Sequence, residues 1–208
     1  MIERFAYLIK TRLPAVFPLI AYSGRLVTIF RFSRRRAKAL AESNVSGQVF
    51  GQHGVMRQLT LEDLDSLKYF FSSMPDSRFY YFNPHGFENS DLIAVIRSRS
   101  FMVYGLFVEG VIVAYALLKL APTGTAFIGR IVATDYAGKG VGRFLSKYLY
   151  WQASLAGLRS RSTISKNNLA SLRSHQAVAE FSVIAELPND YLLIEFQKVG
   201  RERPVLEL

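Results

Sequence analysis

The stretch from Ile131 to Leu145, IVATDYAGKGVGRFL, constrains this chain more than any other: an apolar strand runs into a loop with Gly138, Gly140 and Gly142, and a helix opens directly behind it. Ala126 to Val132 is rich in branched and aromatic residues, as a buried strand is. Val141, Phe144, Leu145, Tyr148, Leu149 and Leu155 then fall at helical spacing, so a real amphipathic helix follows the loop. Glycine at every second position lets backbone N–H groups converge on one point, and the helix N-terminus adds partial positive charge there. Lys139 adds charge at the rim. Arg143 stands in the first helical turn, where a cation opposes the helix dipole unless an anion offsets it. The segment reads as a phosphate site.

Two familiar phosphate loops do not fit. A dinucleotide loop needs G-x-G-x-x-G with an acidic residue about 20 positions on, and a P-loop needs G-x-x-x-x-G-K-[ST]; neither spacing is present.

The elements around the loop follow an order of their own. From Gly54 onward, VMRQL reads as a strand. Thr60 caps a helix, with Asp63 three residues later and an apolar stripe at Leu61, Leu64, Leu67 and Phe71. After a polar and aromatic loop, Asn89 or Ser90 caps a second short helix, DLIAVIRSR. FMVYGLFV and VIVAYALLKL form a hairpin across Glu109 and Gly110. The glycine loop and its helix come next, then a short strand around Arg161 to Ile164, a helix from about Asn168 to Ala179, and a final pair, FSVIAEL and YLLIEFQKV, joined by PND.

The loop resembles the acetyl-CoA signature of the GCN5-related N-acetyltransferase (GNAT) superfamily, an apolar strand, then [Q/R]-x-x-G-x-[G/A], then a helix. Its six positions here are Ala137, Gly138, Lys139, Gly140, Val141 and Gly142. Ala137 departs from the pattern and removes one side-chain contact to the pyrophosphate, while its backbone N–H is retained. The order of elements matches the family over residues 54 to 199. The resemblance implies an α/β (α+β) GNAT acyltransferase fold, a mixed and mostly antiparallel central sheet flanked by helices. It implies acetyl-CoA as co-substrate, held by Val132 and Ala133 at the strand end, by Ala137 to Val141 in the loop, and by Gly142 and Arg143 in the first turn. It also points to the Val132 backbone N–H as the group that stabilises the thioester oxygen.

A second local likeness lies in the helix after the fifth family strand, which often reads N-x-x-[A/S]-x-x-x-Y. Asn168, Ser171 and His175 occupy those spacings. Asn168 thereby resembles a ligand of the CoA arm, and His175 stands where the family's proton-donating tyrosine would be. An imidazole titrates nearer neutrality than a phenol and suits protonation of a departing thiolate; a surface position on an amphipathic helix is the plain alternative. Many relatives carry a Glu on the signature strand, where this chain has Gly129 and Arg130. A base for the acceptor amine is then sought at His85, Glu88 or Asp135, in that order, or in water.

The chain has 208 residues, half of them apolar, which is enough for one large domain. It has no cysteine, which excludes disulfides, thiolate metal sites and a cysteine nucleophile, so direct transfer is expected. Its three histidines, His53, His85 and His175, lack the spacing of a zinc site, and no metal is expected.

The net charge of +10 is concentrated before residue 55, where nine Lys or Arg face two Glu. Residues 1–53 are therefore read as a basic, partly apolar N-terminal extension, and residues 54–208 as the acetyltransferase domain. The apolar part, LPAVFPLIAYSG, is broken by Pro14 and Pro18 and is too short for a membrane span, and the basic cluster lies on the wrong side for a signal peptide. The extension packs as an extra layer with LVTIFRF as an added strand, rests on an anionic membrane, or makes an oligomer contact such as a homodimer. No nucleic-acid-reading module accompanies the basic run, and a cytoplasmic location is expected.

SRFYYFNPHGFENS, between the first two helices, carries four aromatics before Pro84 and then His85, Phe87 and Glu88, with Asp91 directly after it. Aromatic planes beside a few polar groups suit a sugar or another small amine-bearing acceptor; closing the core over the helices is their plain alternative. The expected function is acetyl transfer from acetyl-CoA to a small-molecule amine, with an amino sugar or glycan precursor preferred. A protein or peptide N-acetyltransferase and a non-catalytic acyl-CoA-binding module are the alternatives.

Overall fold

The computed structural model describes residues 17–197 and 202–208. In chain order it has helix α1 (Phe17–Ala41), strands β1 (Val45–Val49) and β2 (Gln52–Gln58), and helices α2 (Leu64–Ser72) and α3 (Asn89–Arg97). Strands β3 (Phe101–Val108), β4 (Val111–Ala121) and β5 (Thr125–Val132) follow, then helix α4 (Val141–Leu155), strand β6 (Arg159–Ser165), helix α5 (Leu169–Gln176) and strands β7 (Phe181–Leu187) and β8 (Tyr191–Phe196). The strands form one sheet in the order β1-β2-β3-β4-β5-β6-β8-β7, antiparallel at every pairing except β5 with β6. This is the mixed, mostly antiparallel sheet expected.

Strands buried on both faces explain the near-continuous apolar runs of β3 and β4. On one face α4 and α1 pack over Tyr104, Ala116, Leu118 and Ile128; on the other, Leu67, Phe70 and Phe71 of α2 and Leu92 and Val95 of α3 cover Val103, Tyr115 and Ile131. The β7–β8 hairpin closes through Pro188, Asn189 and Asp190, the last two at φ 59°, in the left-handed region that Asn and Asp tolerate better than most residues.

Thr60 caps a 3-10 turn, Leu61–Asp63, that leads into α2, and Asp63 rather than Thr60 stands at the helix's own cap. Asp63 accepts from the Thr60 N–H at 2.8 Å and from both Arg57 guanidinium nitrogens at 2.8 and 2.7 Å. Burial alone would raise the Asp63 carboxyl pKa, but the Arg57 and Thr60 hydrogen bonds outweigh it and leave the pKa below the usual carboxylate value. The unfolded state therefore takes up the proton first as pH falls. Asp63→Asn should cost about 2 kcal/mol at neutral pH by weakening this charge-assisted pair. The gap to the parent in urea melts should close as pH drops below about 4.

The N-terminal segment departs from the expectation. LVTIFRF lies within α1, not in an added strand: Phe32 and Ala39 bury their side chains, and Thr28 bonds back to the Gly24 carbonyl at 2.8 Å. Nor is its basic run only a solvated face, since Arg31 donates to the Pro122 carbonyl and Arg36 to the Phe101 carbonyl. From Phe17 on, the part read as an appended extension is built into the domain: α1 packs on α4, and β1 opens the sheet beside β2. The division placed between residues 53 and 54 falls inside β2. Residues 1–16 lie outside the described residues. Tyr22, Leu26, Val27 and Phe30 of α1 are exposed, and no helix among the described residues is long and apolar enough to cross a membrane.

The C-terminal residues add to the sheet edge without a strand pattern in their sequence. Gln48 donates to the Leu206 carbonyl and Phe50 to that of Leu208, beside β1. Gly47 permits the approach, because a Cβ there would stand 1.9 Å from the Leu206 carbonyl oxygen.

Candidate active site

β5 and β6 pair only from Thr125 to Phe127, after which β6 turns to β8 and the two strands part. The parting opens a cleft of about 750 Å³ floored by Ile128 to Val132 and walled by Ser162 to Ser165 and α5. Register decides which backbone groups face it. The Ala133 N–H bonds the Val113 carbonyl, and in an antiparallel ladder alternate residues point their groups to opposite edges. The N–H and C=O of Arg130 and Val132 therefore point away from β4, into the cleft.

The glycine loop closes one end. Gly138 and Gly140 take φ of 75° and 90°, the left-handed region that their lack of a Cβ makes cheap. Gly140 is the N-cap of α4, and its carbonyl accepts from Arg143 and Phe144. The N–H groups of Gly138 to Gly142 have no acceptor among the described residues and are available to an anion. Ala137 differs: its N–H is taken by the Thr134 carbonyl at 3.1 Å, so it offers neither the family's side chain nor its backbone donor.

The remaining expected cofactor residues divide. Gly138, Gly140, Gly142, Arg143 and Asn168 line the cleft, as does Val132. Asn168 caps α5 by accepting from the Ser171 N–H at 3.1 Å, which leaves its amide nitrogen as the donor to the cleft. Val141 is buried in the core, Lys139 is exposed with its ammonium 5.5 Å from the Phe50 ring centre, and Ala133 packs with the α2-side cluster.

Electrostatically the cleft is one-sided. Arg78, Arg130, Arg143 and Arg173 line it, and no Asp or Glu does. Arg130 is the unexpected member. Its guanidinium lies beside Gly142, donates to the Ser174 hydroxyl at 2.5 Å and keeps Nε unpartnered. Burial lowers its pKa to about 10, against the opposing pull of Tyr150. A Cβ on Gly142 would stand 3.0 Å from Arg130 Nη1.

His175 faces this cleft from α5, almost wholly buried rather than on a helix surface, with its Nδ1 2.6 Å from the Tyr150 hydroxyl and its ring 4.8 Å from that of Phe196. Burial and, after it, the charge of Arg130 drive its pKa down to about 2. The near-neutral imidazole on which its expected acid role rested is not the one this environment produces. In the tautomer where Tyr150 donates to Nδ1, the hydrogen sits on Nε2 and His175 is a neutral donor.

The base candidates are placed elsewhere. His85 has Nδ1 2.6 Å from its neighbour's carbonyl at Gly86 and Nε2 2.8 Å from the Tyr115 hydroxyl, which leaves no free lone pair, and burial lowers its pKa. Glu88 and Asp135 are exposed outside the cleft. Of the aromatic segment, Phe79 and Phe87 pack on Phe71 and Phe82 packs on Phe87 and Tyr115, while Tyr81 and Phe82 line the cleft. No group of three or more His, Cys, Asp or Glu suited to a metal ion occurs among the described residues.

A profile of the Acetyltransferase (GNAT) family matches residues 62–181, from the first turn before α2 into β7. The chain belongs to the GNAT acetyltransferase family. Solved structures with the same fold include the GNAT domain of S. lividans PAT, at TM-score 0.66 and 16% identity over 75% of this chain and 97% of that one. The PaiA N-acetyltransferase of Thermoplasma acidophilum in complex with coenzyme A follows at 0.58 and 16%, over 68% and 97%. The aminoglycoside acetyltransferase AAC(6')-Ib in complex with coenzyme A and kanamycin stands at 0.55 and 19%, over 69% and 94%. No curated protein matches in sequence. As a GNAT acyltransferase the protein uses acetyl-CoA as its co-substrate, and the free N–H run with a cleft of arginines and no carboxylate fits such a polyanion.

Proposed function

We propose that this GNAT enzyme transfers acetyl directly from acetyl-CoA to the amine of a small-molecule acceptor within a ternary complex. The observation that carries the reading is the open β5–β6 cleft, which runs from the unpaired N–H groups of Gly138–Gly142 to the unpaired N–H of Val132. The loop and Arg143 hold the pyrophosphate, Asn168 contacts the arm, and the Val132 N–H donates to the thioester oxygen as charge develops on it. The neutral His175, through Nε2–H, donates to the departing sulfur.

The acceptor amine loses its proton to water, since His85, Glu88 and Asp135 all stand outside the cleft. Activity at limiting acceptor should therefore rise with pH until the amine's own pKa, with no earlier plateau. With Tyr81 and Phe82 as the aromatic wall, an amino sugar or glycan precursor remains the acceptor class we favour over a protein or peptide amine. Initial velocities varied in both substrates test direct transfer: intersecting lines are expected, and parallel lines would require a covalent acetyl-enzyme.

A non-catalytic acyl-CoA-binding module is the second reading, favoured by the absence of a carboxylate base among the cleft residues. For the membrane or homodimer contact expected of the N-terminal segment, the surface we assign is the exposed stripe of Tyr22, Leu26, Val27 and Phe30, flanked by Arg34 and Lys38. The protein is placed in the cytoplasm on this reading.

A further inference from the structure

Arg78 comes from the loop between α2 and α3, the wall opposite α5, and donates through Nη2 to the Val132 carbonyl at 2.6 Å. Its Nε is buried without a partner, and no ion pair engages it among the described residues. A half-buried guanidinium whose Nε is closed off from water without a partner keeps donors that an anion can complete. The cleft itself supplies none, because no Asp or Glu lines it. The cofactor's phosphates are met elsewhere, at the Gly138–Gly142 N–H groups, at Arg143 and above Arg130.

Position identifies which anion Arg78 takes. The N–H and C=O of Val132 leave the same edge of β5, so a thioester oxygen held by that N–H lies next to the guanidinium anchored on that C=O. An amine that attacks this thioester brings the substituents of its own carbon against Arg78. From this geometry we infer that the acceptor carries a carboxylate on the carbon that bears the amine, or an equally placed acidic group, and that Arg78 selects it by charge-assisted hydrogen bonds. Tyr81 and Phe82, on the same loop, border the space for the rest of the acceptor. A polycationic amine finds four arginines and no carboxylate there. The inference rests on the acetyltransferase reading and narrows its acceptor to amino acids and amino-sugar acids.

The test uses the full chain with acetyl-CoA and matched acceptors: α-amino acids, their amides and their decarboxylated amines, and glucosamine beside glucosaminic acid, whose carboxylate sits on the amine-bearing carbon, followed by thiol release. The carboxylated member of at least one set should be preferred by roughly 100-fold in kcat/KM. Arg78→Gln, which removes the charge and leaves a neutral amide on the loop, should remove that preference by lowering kcat/KM for the carboxylated acceptor toward that of its amide, with the acetyl-CoA Kd unchanged. The unchanged Kd also reports that the variant is folded. Equal use of carboxylate and amide, an equal loss on both in Arg78→Gln, or weakened acetyl-CoA binding with the preference intact would each overturn the assignment. Acetyl-CoA binding with no carboxylated acceptor turned over overturns it as well, whereas failure of the parent to bind acetyl-CoA overturns the enzyme reading beneath it.

Discussion

Gly140→Asp should abolish measurable binding of acetyl-CoA, lowering affinity on the order of 100-fold or more. Two effects act together. Gly140 sits at φ 90°, where an L side chain costs about 1–2 kcal/mol. The carboxylate also places a negative charge among the unpaired N–H groups that are to receive the pyrophosphate. Crowding is a small part of it, since the nearest atom to a Cβ there is Leu208 Cδ2 at 3.4 Å. Gly140→Ala, with the strain and without the charge, should lose only about tenfold. Titration calorimetry of the three proteins separates the terms. An Asp variant that binds as the parent does would remove the loop from the cofactor site.

His175→Ala should lower kcat on the order of 100-fold, the usual loss when a preorganised donor is removed, and leave the acetyl-CoA Kd within a factor of about three. The pH dependence distinguishes a neutral donor from an imidazolium acid. With a pKa near 2 the ring carries no extra proton at working pH, so the parent's kcat should show no inflection near the ordinary imidazole value of about 6.5. A falling limb near that pH that disappears in the Ala variant would restore the acid role.

The same burial affects stability with a definite sign. His175 stays neutral when folded and protonates when unfolded, so the unfolded state binds the extra proton and stability falls as pH drops below about 6.5. His85, also shifted down by burial, contributes in the same direction. Chemical denaturation of His175→Ala should show a shallower loss toward acid than the parent.

Local signals were legible where local chemistry decides the structure. The Thr60/Asp63 capping box, the hairpin at Glu109 and Gly110 and the PND turn stand as the residues indicated, because cap and turn preferences act within a few positions. The second helix begins at Asn89, with Glu88 rather than Asn89 or Ser90 at the cap. LVTIFRF misled because branched and aromatic residues favour a strand locally. Packing of Phe32 and Ala39 into the core overrides that preference, and no neighbour in sequence reveals it.

Within the site, the glycine loop was readable from its spacing, and Asn168, pointed to by the family resemblance, caps α5 and lines the cleft. Arg130 was visible as a lone cation in an apolar strand, but its burial beneath the α4 turn required the fold. Arg78 was not readable at all, since it reaches Val132 across 54 positions of chain. The depressed pKa of His175 likewise depends on distant partners, Phe196 from β8 and Arg130 from β5.

The most direct test of the central claim is titration calorimetry of acetyl-CoA into the purified, unmutated chain. Stoichiometric binding in the micromolar range, weakened by added salt as the phosphates' contacts with the loop and the arginines are screened, is the predicted result. The absence of binding heat and of any thermal stabilisation by acetyl-CoA would contradict the cofactor site and the acetyltransferase account built on it.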